Sequence, residues 1–246
     1  MATSQGIENI TFVTWKWKGL DESRVFLSEH VNVLYSMLKR HCHQSFSLVC
    51  VTDDSSGLDP DIEHFPMPKT PFDNLMTPHG NANKVFPSCY RRLWMFSKEA
   101  TILGPRVFLL DIDVIITGSL EPLLRKRADF VGWVDARFGW SKIAGGAWIL
   151  NTGSHPEVWE QFDPKTSPLK AFEAGMRGSD QAWISYMLYP PRQSFGERDG
   201  VVKLGWIRKG GREVPPGIRM IFFAGNLPPW HPQIQLGHAW VKDYWR

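Results

Sequence analysis

The sequence predicts an α/β chain built on a mostly parallel sheet, and three observations predict it. Two apolar, β-rich runs, ITFVTW (10–15) and SFSLVCVTDD (45–54), flank an amphipathic stretch. Strand, helix and strand within roughly 45 residues are the pattern of a parallel pair with a crossover helix. A third run, VFLLDIDVII (107–116), is apolar enough for a buried strand yet carries Asp111 and Asp113.

Each element follows from local pattern. From Arg24 to Arg40, Val31, Leu34, Tyr35 and Leu38 recur at helical spacing, and Ser23 stands where a cap would be. The second strand ends in an acidic turn with Gly57 and Pro60. Residues 55–87 are rich in Pro, Gly, Asn and Asp, which predicts loop with one short strand. SCYRRLWMFSKEA (88–100) reads as a helix capped by Ser88, and RVFLL returns the chain to the sheet. GSLEPLL then predicts a short helix, ADFVGWV and GAWILNTG strands, and SHPEVWEQF a helix. SDQAWISYML (179–188) predicts a further helix capped by Ser179. Residues 190–246 alternate Pro and Gly with short apolar runs such as IRMIFFAG and show no domain boundary. A single domain over 1–246 is expected.

Composition narrows the function. A chain 43% hydrophobic and 22% charged is too apolar for disorder. Twelve tryptophans fill a core or offer stacking faces for sugars and bases. A net charge of +3 suits anionic small ligands and permits nucleic acid. No run approaches the ~20 apolar residues of a membrane helix, and the N-terminus lacks a signal-peptide pattern. Cys42, Cys50 and Cys89 are odd in number and widely spaced, so reduced thiols and a cytoplasmic location are expected. The absence of a GxxxxGK[ST] loop, a nucleophile elbow and a post-strand GxGxxG argues against NTPase, hydrolase and dehydrogenase chemistry.

Asp111-Ile112-Asp113 carries the sharpest chemistry. Burying an ionised carboxylate is costly without compensation, and two would converge on one object if the chain is extended. A divalent cation shared with a phosphorylated ligand would compensate both, since Mg²⁺ or Mn²⁺ takes one or two carboxylates plus phosphate oxygens. In an open α/β sheet, ligands bind at this carboxyl end of the strands. Arg91 and Arg92 suit phosphate, and only one of them can face the sheet edge. Asp180-Gln181 reads either as a ligand contact or as first-turn acid opposing the helix dipole. The clusters RKR (125–127) and RKGGR (208–212) read as solvated faces.

In order along the chain, FVTW, YSMLKRH, LVCVTDD, RRLWMF, RVFLLDIDVIITGSLEPLL, ADFVGW, GGAWILNTGSHPEVWEQF, SDQAWIS and WVKDYWR form a set more specific than any one motif. That set resembles the GT-A-fold nucleotide-sugar glycosyltransferases, in a bacterial and phage branch related to the glycogenin and lipopolysaccharide galactosyltransferase family. The resemblance implies a Rossmann-like α/β/α sandwich with a mixed, mostly parallel sheet. About 1–118 would bind the nucleotide-sugar and about 119–246 would face the acceptor. It implies Asp111 and Asp113 as ligands of Mn²⁺ (or Mg²⁺), with Asp111, Ile112 and Asp113 touching the donor. Thr14 and Trp15 would lie beside the nucleotide, Arg91 or Arg92 near the diphosphate or sugar, and Asp180 with Gln181 at the reacting sugar. The donor would be a nucleotide-sugar, with a UDP-sugar favoured, and transfer would retain configuration. The acceptor would be a hydroxyl of a glycan or of a modified base in phage DNA.

The sequence departs from that family at one point. Where the family carries a metal-ligating His in FHG or HFxG form, this chain reads FFAG (222–225), and neither Phe222 nor Ala224 can ligate. Pro228, Pro229 and Pro232 restrict the following segment. His231, ahead of His238, is therefore expected as third ligand; otherwise water and diphosphate complete the shell. The rival readings are a sugar nucleotidyltransferase and a sugar-binding protein without turnover.

Overall fold

The computed structural model describes residues 9–17, 26–73, 75–78, 89–134, 141–207, 210–223 and 227–246. Its strands are β1 (Ile10–Lys16), β2 (Phe46–Thr52), β3 (Glu63–Pro66), β4 (Arg106–Leu110), β5 (Val114–Ile116), β6 (Phe130–Trp133), β7 (Ala144–Asn151), β8 (Gln193–Phe195), β9 (Val201–Lys203) and β10 (Met220–Phe222). The helices are α1 (Ser28–His41), α2 (Glu121–Leu124), α3 (Glu157–Glu160), α4 (Ser167–Glu173), α5 (Asp180–Leu188), α6 (Pro232–Gly237) and α7 (Val241–Tyr244).

Seven strands form one sheet in the order β3-β2-β1-β4-β7-β6-β8, and three form a second in the order β5-β10-β9. In the large sheet β7 alone runs against the rest, pairing antiparallel with β4 and β6. The sheet is therefore mixed and mostly parallel, as the sequence predicts.

Alternation along the strands explains the layers. Phe12, Leu48, Cys50, Phe108 and Leu110 enter a core shared with Val31, Leu34 and Leu38 of α1. Their neighbours Val13, Val49, Val51, Val107 and Leu109 enter another core, shared with Leu93, Met95 and Phe96 and with Trp183 and Ile184 of α5. Burial on both faces is why these strands read as unbroken apolar runs. It makes the chain one α/β/α domain.

Several expectations need correction. The first helix spans Ser28–His41 among the described residues, while Ser23 lies outside them. The 88–100 segment is not one α-helix: it forms 3₁₀ helices at Tyr90–Phe96 and Lys98–Leu103. Its aromatic side chains pack in several directions, Trp94 against Trp15 and Phe65, Phe96 against Phe130 and Trp148. Packing on all sides overrides the one-sided pattern that an amphipathic helix would need. Ser88 lies outside the described residues. Ser179 precedes α5 but bonds no backbone N–H of that helix; its Oγ accepts from Cys89 N at 2.9 Å. The small second sheet, built from three-residue strands, is too short for sequence periodicity to show.

Candidate active site

The carboxyl ends of β1, β4 and β6 share one edge, where β7 enters the sheet with Ala144 and Gly145. β4 leaves the large sheet at Leu110, and Val114 starts the small sheet. Asp111-Ile112-Asp113 is the link between the two sheets. The expectation of one extended strand through both carboxylates fails here, because Ile112 and Asp113 form a turn. The Ile112 side chain is buried in the core, and Asp113 is buried at 6% exposure.

Asp111 continues the alternation of Leu109, so it projects to the face covered by the 90–96 helix and α5. There Arg92 bridges two carboxylates. Its Nη1 donates to Asp111 Oδ1 at 2.5 Å and its Nε to Asp180 Oδ2 at 2.7 Å. The Arg92 and Asp180 side chains are 7% and 2% exposed, whereas that of Asp111 is 35% exposed. Burial works against the Arg92 charge, but Asp180 and Asp111 outweigh it and hold the guanidinium well above its ordinary value. Burial also pushes the Asp180 carboxyl up, opposed by Arg92. Since an arginine has no neutral form in the working range, Asp180 is the ionised partner of this pair. Cys89 beside them is pushed by burial to about 11, so it is a protonated thiol and no nucleophile.

Two glycines of β7 allow this close packing. A Cβ at Gly145 would stand 3.1 Å from Arg92 Nη2 and 3.2 Å from Gln181 Cβ. One at Gly146 would stand 3.0 Å from both Asp111 Oδ2 and Phe222 Cδ1. The Gln181 amide is held by Gly145 N at 3.2 Å and by the Arg177 carbonyl at 3.1 Å. The glycine pair went unremarked in the sequence, where only GG within a strand pattern could have flagged close approach.

The structure thus brings Asp111, Arg92, Asp180 and Gln181 together. Thr14 lies one strand away, its Oγ1 donating to the Leu110 carbonyl at 2.9 Å. Trp15 is buried against Trp17 and Trp94. Only one of the two arginines enters the site. Arg91 turns away, donating to the Asp73 carbonyl at 2.9 Å with its guanidinium 5.0 Å from the Trp17 ring. Asp180 is a buried partner of Arg92 rather than a simple first-turn acid.

Among the described residues no three His, Cys, Asp or Glu side chains gather as a metal set. His231 caps α6, its Nδ1 accepting from Gln233 N at 3.2 Å. An imidazole accepting at Nδ1 carries its proton on Nε2, so ligation there would require a tautomer change and loss of the cap. Asp111, with its side chain 35% exposed at this edge, is a carboxylate of the kind a hard cation shared with a diphosphate takes, since such a cation needs only one or two protein carboxylates. Ala224 lies outside the described residues.

Solved glycosyltransferases of the GT-A type share this fold. The galactosyltransferase LgtC, solved with donor and acceptor sugar analogs, matches with a TM-score of 0.62 at 15% identity, over 92% of this chain and 91% of that one. GlyE of Streptococcus pneumoniae TIGR4 matches at 0.57 and 11% identity, over 91% of this chain and 56% of GlyE. The bifunctional glycosyltransferase WbbM matches at 0.57 and 14%, over 93% of this chain and 48% of WbbM. No protein-family model and no curated protein matches the sequence. Among the described residues no helix is long and apolar enough to cross a membrane.

Proposed function

We propose that this chain transfers a sugar from a nucleotide-diphosphate donor to a hydroxyl acceptor at the Asp111 edge. One observation carries the reading: a half-open carboxylate, Asp111, tied through buried Arg92 to Asp180, at the ligand-binding edge of a GT-A fold. The solved structures of that fold cited above are glycosyltransferases, one of them captured with donor and acceptor analogs. An LgtC variant solved as an active-site mutant carries a Gln-to-Glu change, which makes Gln181 of interest here.

In this reading Asp111 and Asp113 hold Mn²⁺ or Mg²⁺. When bound, the cation supplies charge neutralisation for the departing diphosphate. Thr14 and Trp15 border the nucleotide at the end of β1. Arg92 keeps the Asp111 carboxylate oriented and Asp180 ionised, so the site need not reorganise as charge develops. Gln181, tied to β7, faces the donor sugar, and transfer retains configuration. A UDP-sugar is the favoured donor, with a glycan hydroxyl ahead of a modified DNA base as acceptor.

Donor hydrolysis tests the reading. Wild-type protein is expected to release nucleoside diphosphate from a UDP-sugar with Mn²⁺ and not after chelation. Asp111→Asn should abolish both that release and Mn²⁺-dependent UDP binding by calorimetry, at unchanged far-UV circular dichroism. Full UDP affinity in Asp111→Asn and Asp113→Asn would remove the metal-site reading.

A further inference from the structure

We propose that Trp206 is the stacking platform of an acceptor subsite that takes the pyranose ring of a glycan. The proposal rests on the sugar-transfer reading for its purpose, though not for its geometry. Among the described tryptophans Trp206 alone is exposed, at 36%, so core packing does not account for it. Its ring is nevertheless held in place. The indole Nε1 donates to Glu197 Oε1 at 2.8 Å, and the 3₁₀ turn Leu204–Trp206 is anchored by buried Ile207, whose N–H bonds Leu204 O at 2.8 Å.

Both partners are built onto strand ends at the candidate site. Lys203, the last residue of β9, registers with Phe222, and Phe222 registers with Val114, which follows Asp113 directly. Strands about 4.8 Å apart put Lys203 roughly 10 Å from Val114. Trp206 lies three residues further on, at about 2 Å per residue of 3₁₀ turn. Glu197 arrives from the other side. It follows β8, whose Phe195 registers with Trp133, and the Trp133 ring lies 4.2 Å from that of Phe222. Gly196 pins this turn, because a Cβ there would collide with the Val134 carbonyl. Gly196 N also donates to Asp199 Oδ2 at 3.1 Å.

An indole face accepts the C–H face of a pyranose, and a carboxylate at its rim accepts bonds from ring hydroxyls. The same face would stack a base, and Asp199 of the Glu197–Asp199 turn is already paired with Lys126 at 3.0 Å, so a nucleic-acid strand is the contrasting arm of the test. Sugar is the ligand class that the sugar-transfer reading calls for, and by these spacings the platform lies within roughly 16 Å of the start of β5, beside the carboxylate edge.

Saturation-transfer NMR tests this on the full chain with UDP and Mn²⁺, using methyl β-galactopyranoside and methyl β-glucopyranoside as probes and a single-stranded oligonucleotide as the contrasting arm. The wild type should transfer saturation to at least one pyranoside. Trp206→Ala should lower that signal at least fivefold, Trp206→Phe should keep part of it, and UDP affinity should be unchanged in both. No pyranoside signal in the wild type, or an equal one in Trp206→Ala, overturns the proposal. So does oligonucleotide binding that Trp206→Ala abolishes. Pyranoside binding through Trp206 without donor turnover would keep the subsite and remove the transferase reading; turnover with Trp206-independent pyranoside binding would do the reverse.

Discussion

A guanidinium as buried as Arg92 is costly to desolvate unless its donors meet carboxylates, and here Asp111 and Asp180 both serve. Removing it leaves Asp180 in the interior with no cation beside it. Arg92→Ala is expected to cost about 3–5 kcal/mol of stability by urea denaturation. Arg92→Lys keeps the charge but not the fork that reaches two carboxylates, so it should fold better than Arg92→Ala and still lose turnover. Equal stability of all three proteins would show that the bridge contributes nothing. His231 poses a different question at the same scale. Its Nδ1 caps α6, so His231→Ala should cost about 1 kcal/mol of stability and leave the Mn²⁺ midpoint with UDP nearly unchanged. A shifted midpoint would establish the imidazole as a third ligand after all.

At the level of elements, α1 and the C-terminal segment are joined by aromatic and carbonyl contacts. His30 of α1 stacks on Trp230 at 3.7 Å and lies near Trp245, and its Nδ1 accepts from Leu27 N at 3.1 Å. Arg40 at the other end of the helix donates to the Tyr244 and Arg246 carbonyls, each at 2.6 Å. Burial lowers the His30 pKa from 6.5, opposed by Glu29, whose Oε1 is 3.5 Å from Nε2. A depressed imidazole stabilises the fold above its unfolded value, and that contribution fades as pH falls below about 6.5. Stability should therefore drop between pH 7 and 5, and His30→Gln should flatten the slope. An unchanged slope in that variant would place the acid sensitivity elsewhere.

Across the whole molecule, the two sheets meet at the Asp111–Asp113 turn, at the turn that links β8 to β9, and in a shared core where the Trp133 ring lies 4.2 Å from that of Phe222. A ligand bridging this junction should stabilise both. UDP-sugar with Mn²⁺ at a hundred times its Kd is expected to add about 2.7 kcal/mol, read as a raised Tm that chelation reverses. No shift across a panel of nucleotide-sugars would count against donor binding.

The sequence by itself determined the α/β class and the succession of the long strands, and it singled out Asp111 as a charge within an apolar run. Those features rest on period-two and helical patterning and on charges set in apolar runs, which are local properties. Arg92 as the inward arginine was legible only as one of two. Only the tertiary structure decided that Arg92 bridges Asp111 to Asp180, because residues 92, 111 and 180 meet through packing rather than spacing. The same holds for the break of the strand at Leu110, the 3₁₀ form of the 90–96 segment and the small sheet. Three-residue strands and all-round aromatic packing leave no period in the chain. Their shape comes from neighbours distant in sequence, and a one-dimensional pattern carries no record of those neighbours.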